Sequence, residues 1–371
     1  MPAEIAGSHA FRDRGRLKVF VAGRLTEDAL EGSYVRAFDA LGMETTAFDM
    51  PKAVLRRSRL GRIGRFVHTF WPVEVWLIKA NRDLFLRVME ARPDVMLVCG
   101  TAHVLAGTLS QIKAALPQCR LVLVWPDSLL YCYSWILNAV KTYDLVATYS
   151  KATVDPFIRL GARQAAWVPL GFDSTLHPTN IETSQNAKEY ADCEASFVGN
   201  HTPERERLIV KLVAAGFRIK VWGPTDWERS AADRAALKKY WQGRPLFGKE
   251  FALAIKCAPV SLNPINPVTY PAANMRFFEI PGCGGVALSA RSPEMESSFP
   301  DRRACYYYDG EEDIGEVMRR VLDDPEARTE VSKAAQQLVL GSHTYTTRAR
   351  QILALLGFDQ KTDDESEIAA R

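Results

Sequence analysis

Along most of this chain, short runs that are apolar at nearly every position alternate with longer stretches of helical periodicity. LKVFVAG (17–23) reads as a strand ending in a glycine turn, and EDALEGSYVRAFDALG (27–42) as an amphipathic helix closed by Gly42. METTAFD (43–49), DVMLVCG (94–100), RLVLVW (120–125), DLVATY (144–149) and AAWVP (165–169) follow, each separated by a plausible crossover. Strands without a polar face cannot leave one side in water, so the pattern suggests parallel sheet covered by helices on both faces. The rhythm lapses into polar and turn residues over 170–194 and then restarts. The second series is ASFVGN (195–200), a helix over 203–216, RIKVWG (218–223), a helix and strand within 246–264, VALSA (286–290), ACYYYD (304–309) and two helices over 311–340. At 371 residues the chain exceeds one ordinary core and suits two α/β domains. The expected division is 1–173 and 174–342, followed by a helix at 343–357 and an acidic, disordered tail at 359–371.

Bulk properties remove several functional classes. Lys and Arg total 47 against 44 Asp and Glu, and the resulting +3 is too weak a bias to imply nucleic-acid binding. The longest apolar runs, such as LVLVW (121–125), are strand-length and span no membrane, and MPAEIAGSHAFRDRGR lacks the apolar core of a secretory signal. Seven scattered cysteines with no C-x-x-C pair argue against a disulfide framework or structural zinc and fit a reducing cytoplasm. One region breaks the rhythm. Residues 52–82 carry eight Lys or Arg against one acid, Glu74, with Phe66, Phe70, Trp71 and Trp76 interleaved. Two readings fit: a solvated basic face whose aromatics pack on the first sheet, or a peripheral contact with the inner membrane face or an acidic acceptor.

Ligands of open α/β sheets gather beyond the carboxyl ends of the strands, so the residues that follow strands are the candidates. These are Gly23; Gly100, Thr101 and His103; Asp127 and Ser128; Gly199 and Asn200; Gly223; and Asn263. The richest stretch is NMRFFEIPGCGGVALSA (274–290). Pro271 suits the first turn of a helix over 272–280, which the glycines of 281–285 then turn into a strand. Asn274 and Arg276 fall near the positive end of that helix, a setting that favours phosphate. Glu279, three residues after Arg276, shares its flank and can accept hydrogen bonds from both hydroxyls of a ribose. Gly282, Gly284 and Gly285 let backbone pass close to a ligand or to a neighbouring helix. The plain alternative is a surface Arg276–Glu279 ion pair on a structural helix.

NMRFFEIPGCGGVAL resembles the signature of the GT-B glycosyltransferases related to the spore-maturation CgeB proteins. The resemblance extends over about 195–355. It includes ASFVGNHTPERERLIVKLVAAGFRIKVWGP (195–224), the hinge-like VPLGFD (168–173) and the closing SHTYTTRARQIL (342–353). It implies a GT-B fold: two Rossmann-like domains facing across a cleft, with the helix at 343–357 crossing back to the N-terminal acceptor-side domain. It also implies that Glu279 takes the donor ribose and that Asn274 and Arg276 lie near the diphosphate. Gly199, Asn200 and Arg205 would line the phosphate side. The chain departs from the pattern at one point. Many retaining relatives carry a second acid eight residues before the ribose-binding Glu, where this sequence has Pro271. The stereochemical outcome therefore stays open.

The resulting expectation is a glycosyltransferase that moves a sugar from a nucleotide-sugar, expected to be UDP-linked, to a protein, lipid-linked or polysaccharide acceptor. No metal or other cofactor is expected, since arginine can compensate the leaving diphosphate and no Asp-x-Asp ligand set stands between strands. An inverting transfer needs a general base, for which Asp127 is the first candidate and His103 the second; either could equally be a loop or helix-capping residue. His343 and Arg348 are expected to pin the closing helix. Two alternatives remain: a GT-B sugar-nucleotide epimerase or hydrolase, and a degenerate domain that only binds a nucleotide or glycan.

Overall fold

A computed structural model describes residues 16–26, 28–58, 73–100, 102–179, 181, 188–229 and 237–358. Thr101, the aromatic residues Phe66, Phe70 and Trp71, and the tail at 359–371 lie outside the described residues. The chain divides into two compact units. One comprises residues up to Val124 with Tyr133–Val146 and Leu160–Gln164; the other comprises Trp125–Cys132, Ala147–Arg159 and the described residues from Ala165 on.

Six strands, β1 (Lys18–Gly23), β2 (Glu44–Asp49), β3 (Val95–Cys99), β4 (Arg120–Trp125), β5 (Leu145–Thr148) and β6 (Ala165–Trp167), form one sheet in the order β2-β1-β3-β4-β5-β6. The β1–β2, β1–β3 and β3–β4 pairs run parallel. VMLVC of β3 is buried at every position, as its unbroken apolar run requires. β2 is an edge strand and stays half-exposed, which is why its threonines and charged ends are tolerated.

The second sheet is wholly parallel: β7 (Ala195–Val198), β8 (Ile219–Trp222), β9 (Val260–Asn263), β10 (Ala287–Ala290) and β11 (Tyr306–Tyr308), in the order β11-β10-β9-β7-β8. Its core joins Phe197, Ile219 and Val260 to Leu208, Leu212 and Met318 from the covering helices. Each fully buried side chain of this kind contributes about 1.5–3 kcal/mol relative to exposure. The order reverses between β7 and β9, because β8 follows β7 on one side and β9 lies on the other. That gap is where an open sheet presents a ligand crevice.

The last helix, Tyr345–Leu355, is tied to β6 and the segment that follows it. Gln351 Nε2 donates to the Trp167 carbonyl at 2.9 Å, and backbone bonds join Phe172 to His343 and Tyr345. Arg348, 4% exposed, donates to the carbonyls of Leu170 and Ser342 and to His343 Nδ1 at 2.7 Å. These two residues do pin the helix. Among the described residues, no helix is long and apolar enough to cross a membrane.

Candidate functional site

At the reversal of the second sheet, β7 ends at Val198 and is followed by Gly199 and Asn200, and β9 ends at Asn263. The helix that serves this gap begins later than expected, at Arg276, and runs to Gly282. Pro271 is not in its first turn. Asn274 decides the start: its Oδ1 accepts from the Phe277 N–H at 3.1 Å, capping a helix that begins two residues on. The stop is also local. Gly284 adopts φ +77°, and the N–H groups of Gly284 and Gly285 return to the carbonyls of Pro281 and Ile280. This pairing closes a helix end and calls for glycine at the left-handed position. A Cβ on Gly282 would come within 2.5 Å of the Phe172 ring, and one on Gly285 would overlap Ile255. The close approach that these glycines permit is therefore to the protein's own side chains.

Arg276 and Glu279 are paired, as their spacing suggests, but not as a surface pair. Glu279 is 3% exposed, with one carboxylate oxygen on Arg276 and the other 3.4 Å from His177 Nε2. Burial pushes the carboxyl up, yet the Arg276 charge and His177 outweigh it and hold the pKa at about 2. Arg276 is fixed twice more: Nε donates to the Val198 carbonyl at 3.0 Å, and the guanidinium lies over the Phe251 ring at 4.3 Å. It therefore spans from the end of β7 to Glu279.

Arg205 approaches from the next helix, Pro203–Ala214, whose first turn is capped by the Thr202 hydroxyl. Its Nη1 donates to the Asn200 carbonyl at 2.9 Å and its guanidinium lies over Phe197 at 5.7 Å. Its Nε is buried without a hydrogen-bond partner. Burial, then the nearby Arg276 charge, both lower the pKa of Arg205. Two guanidinium groups thus converge at the sheet reversal, and one retains an unused buried donor. Such an arrangement is complementary to an anion. Gly199 sits at the same point: its carbonyl accepts from Trp227 Nε1 at 2.9 Å, and Gly223 packs so closely on Gly199 and Trp227 that a side chain there would collide. Asn263 is buried and spends its amide on Ser289 Oγ at 3.1 Å, between β9 and β10.

His177 was not legible as a site residue, because it falls in the polar stretch 170–194. The signal lay in FDSTLH: Asp173 Oδ1 accepts from the N–H groups of Thr175 and Leu176, and the Asp173 carbonyl from that of His177. This turn drives the imidazole inward.

The remaining candidates lie elsewhere. Gly23, at the end of β1, leaves room for Glu31, a buried carboxylate that accepts from the Arg24 N–H at 3.0 Å. His103 stacks on Trp135 at 3.8 Å, and Trp135 on Tyr133 at 4.1 Å. Asp127 follows β4, half-buried; its Oδ1 accepts from the Ser128 N–H at 2.7 Å, and burial raises its pKa from the ordinary value. In the basic stretch, Arg57 pairs with Asp83. Among the described residues, no three His, Cys, Asp or Glu side chains come together as a metal-ligand set.

A family model described as glycosyl transferase-like matches residues 205–354, which contain Arg205, Arg276 and Glu279. No sequence among curated proteins matches the chain. Among solved structures, it is similar to sucrose-phosphate synthase from Thermosynechococcus elongatus, with a TM-score of 0.66 at 12% identity over 96% of this chain and 100% of that one. HepE of Anabaena in complex with UDP-glucose gives 0.62 at 12% identity over 92% and 100%. A putative UDP-N-acetylglucosamine 2-epimerase from Listeria monocytogenes gives 0.58 at 14% identity over 94% and 99%. At these identities the likeness concerns the fold, which is GT-B: α/β, with Rossmann-like domains on parallel sheets.

Proposed function

We propose that this protein is a glycosyltransferase that binds a nucleotide-sugar, expected to be UDP-linked, at the carboxyl ends of β7 and β9 and transfers the sugar to an acceptor hydroxyl. The observation that carries the reading is the convergence of Arg205 and Arg276 at the sheet reversal, with Arg205 Nε buried and unpartnered. The glycosyl transferase-like match over 205–354 and the UDP-glucose bound by HepE support the same class of ligand.

In this reading the diphosphate lies against the two guanidinium groups and the ribose hydroxyls donate to Glu279. Each oxygen of Glu279 has a partner, His177 or Arg276, and in this reading Arg276 turns toward the phosphates as the ribose reaches the carboxylate. Donor binding is thus an exchange in which Arg276 trades a carboxylate for a diphosphate. During transfer the bond between the anomeric carbon and the phosphate oxygen breaks, and its electron pair leaves with the nucleoside diphosphate. The acceptor oxygen bonds to the anomeric carbon and gives up its proton. In an inverting transfer Asp127 is the proposed base, since burial has already raised its affinity for a proton. The two arginines compensate the leaving charge, so we propose that no metal is required.

A second reading keeps the same donor site without an acceptor: the putative epimerase from Listeria monocytogenes shares the fold. The acceptor, whether protein, lipid-linked glycan or polysaccharide, is where the two differ, and product analysis separates them. The deciding first experiment is a thermal-shift panel of UDP, GDP, CDP, ADP and TDP, each with and without Mg²⁺. A ligand at about a hundred times its Kd adds ~2.7 kcal/mol to the native state. A rise with UDP that ignores Mg²⁺ and vanishes in Arg205→Met supports the donor site; no rise with any nucleotide refutes it.

A further inference from the structure

His177 holds the Glu279 oxygen that Arg276 does not. Its ring is stacked near Phe172, with centroids 6.3 Å apart, and lies against Phe251 at 4.6 Å. Nδ1 is 3.4 Å from the Gly248 carbonyl and Nε2 is 3.4 Å from Glu279 Oε1. The charged groups around it are Glu279 and, beyond it, Arg276 on one helix, with Asp173 on its own turn. The helix Gly248–Cys257 faces it with Phe251 and the Gly248 carbonyl.

This placement matters because of the exchange described above. Once Arg276 moves to the diphosphate, Glu279 loses its strongest partner while remaining inside the protein. A carboxyl group buried without a donor takes up a proton, and a protonated carboxyl can no longer accept from both ribose hydroxyls. His177 does not face the diphosphate and keeps its place when Arg276 leaves. Its Asx turn and the two phenylalanine rings fix it independently of the ligand.

We propose that His177 is a positioning residue for the donor nucleotide: its Nε2–H holds the Glu279 carboxylate ionised and aimed at the ribose while Arg276 is drawn onto the diphosphate. The inference rests on the donor-site reading and extends it to a residue outside the ligand's reach.

The test is calorimetric binding of UDP and of 2′-deoxy-UDP to the full-length protein and to three variants, His177→Phe, His177→Gln and Glu279→Gln. The wild type should prefer UDP by roughly tenfold or more, the worth of a hydrogen bond to a charged group. His177→Phe keeps an aromatic ring between Phe172 and Phe251 but has no donor, so its preference should collapse to that of Glu279→Gln. His177→Gln can place an amide N–H where Nε2 stood and should restore part of the preference. A structural role alone would weaken both nucleotides equally and leave their ratio intact, and that result overturns the proposal. If the variants do not fold, a crystal structure of the wild type with UDP decides. Arg276 on the phosphates with His177 still on Glu279 supports the proposal; Arg276 still on Glu279 overturns it. A wild type that binds neither nucleotide defeats the donor-site reading and this inference together, and differs visibly from a protein that binds both without distinguishing them.

Discussion

His343 offers a stability test that needs no ligand. Its ring lies 5.5 Å from Phe278 and 5.0 Å from Phe299, and its Nδ1 accepts from Arg348. Burial first, and the adjacent Arg348 charge second, push its pKa from 6.5 down to about 4. An unfolded chain protonates this histidine below pH 6.5, while the folded one resists until about 4. Between those values the unfolded state binds more protons, so stability is complete above pH 6.5 and declines as the pH falls toward 4. The full interval corresponds to about 3 kcal/mol, a large share of the margin of an ordinary domain. Urea unfolding of the wild type and His343→Asn at several pH values isolates the effect, because asparagine can accept from Arg348 but does not titrate. Wild-type stability should fall more steeply than that of the variant from pH 6.5 downward. Parallel curves would show that the folded imidazole protonates freely and that the Arg348–His343 contact does not govern it. Phe278 belongs to the helix that carries Glu279, so the same acid step should weaken nucleotide binding before the protein unfolds.

Other outcomes follow from single contacts. Arg205→Met should lower UDP affinity at least about tenfold while leaving the melting temperature unchanged or higher, since it removes a partly buried charge; isothermal titration and a melting curve check both halves. Gly223→Ala forces a methyl group against the Gly199 carbonyl and Trp227 and should cost roughly 1–3 kcal/mol in urea unfolding, with weaker nucleotide binding because the end of β7 shifts. Asp127→Asn should reduce kcat by about a hundredfold or more at constant donor Kd and abolish the acid limb of the rate profile, if Asp127 is the base. An Asp127→Asn enzyme with wild-type turnover would return Asp127 to the role of a loop residue.

The strands were legible because a strand buried on both faces leaves a run that is apolar at nearly every position: β3 is so throughout and β4 after Arg120, while the serines inside buried β7 and β9, Ser196 and Ser261, bond each other at 3.0 Å. Strand ends then pointed to Gly199, Asn200 and Asn263 by geometry alone. What periodicity could not show was competition for the same helix. Pro271 marked a plausible start, but the Asn274 side chain satisfies the Phe277 N–H and moves the start to Arg276. For the glycines of 282–285 the sequence left two partners open, a ligand or a neighbouring helix. Sequence shows that backbone comes close to something there, while only coordinates show that it is Phe172, Ile255 and the helix's own closing turn.

Long-range pairing was the other blind spot. Arg276 and Glu279 are three residues apart and could be paired on sight, whereas His177 lies about a hundred residues away in a stretch with no regular structure. Arg205 and Arg276 were each suspected, yet their convergence is a fact of the β7–β9 reversal and not of either motif. The distinction bears on what the site can do. A local Arg–Glu pair alone fits a helix surface as well as a ligand site. A second guanidinium brought in by topology, with a buried donor left unused, is costly for folding and is complementary to the diphosphate of the proposed donor.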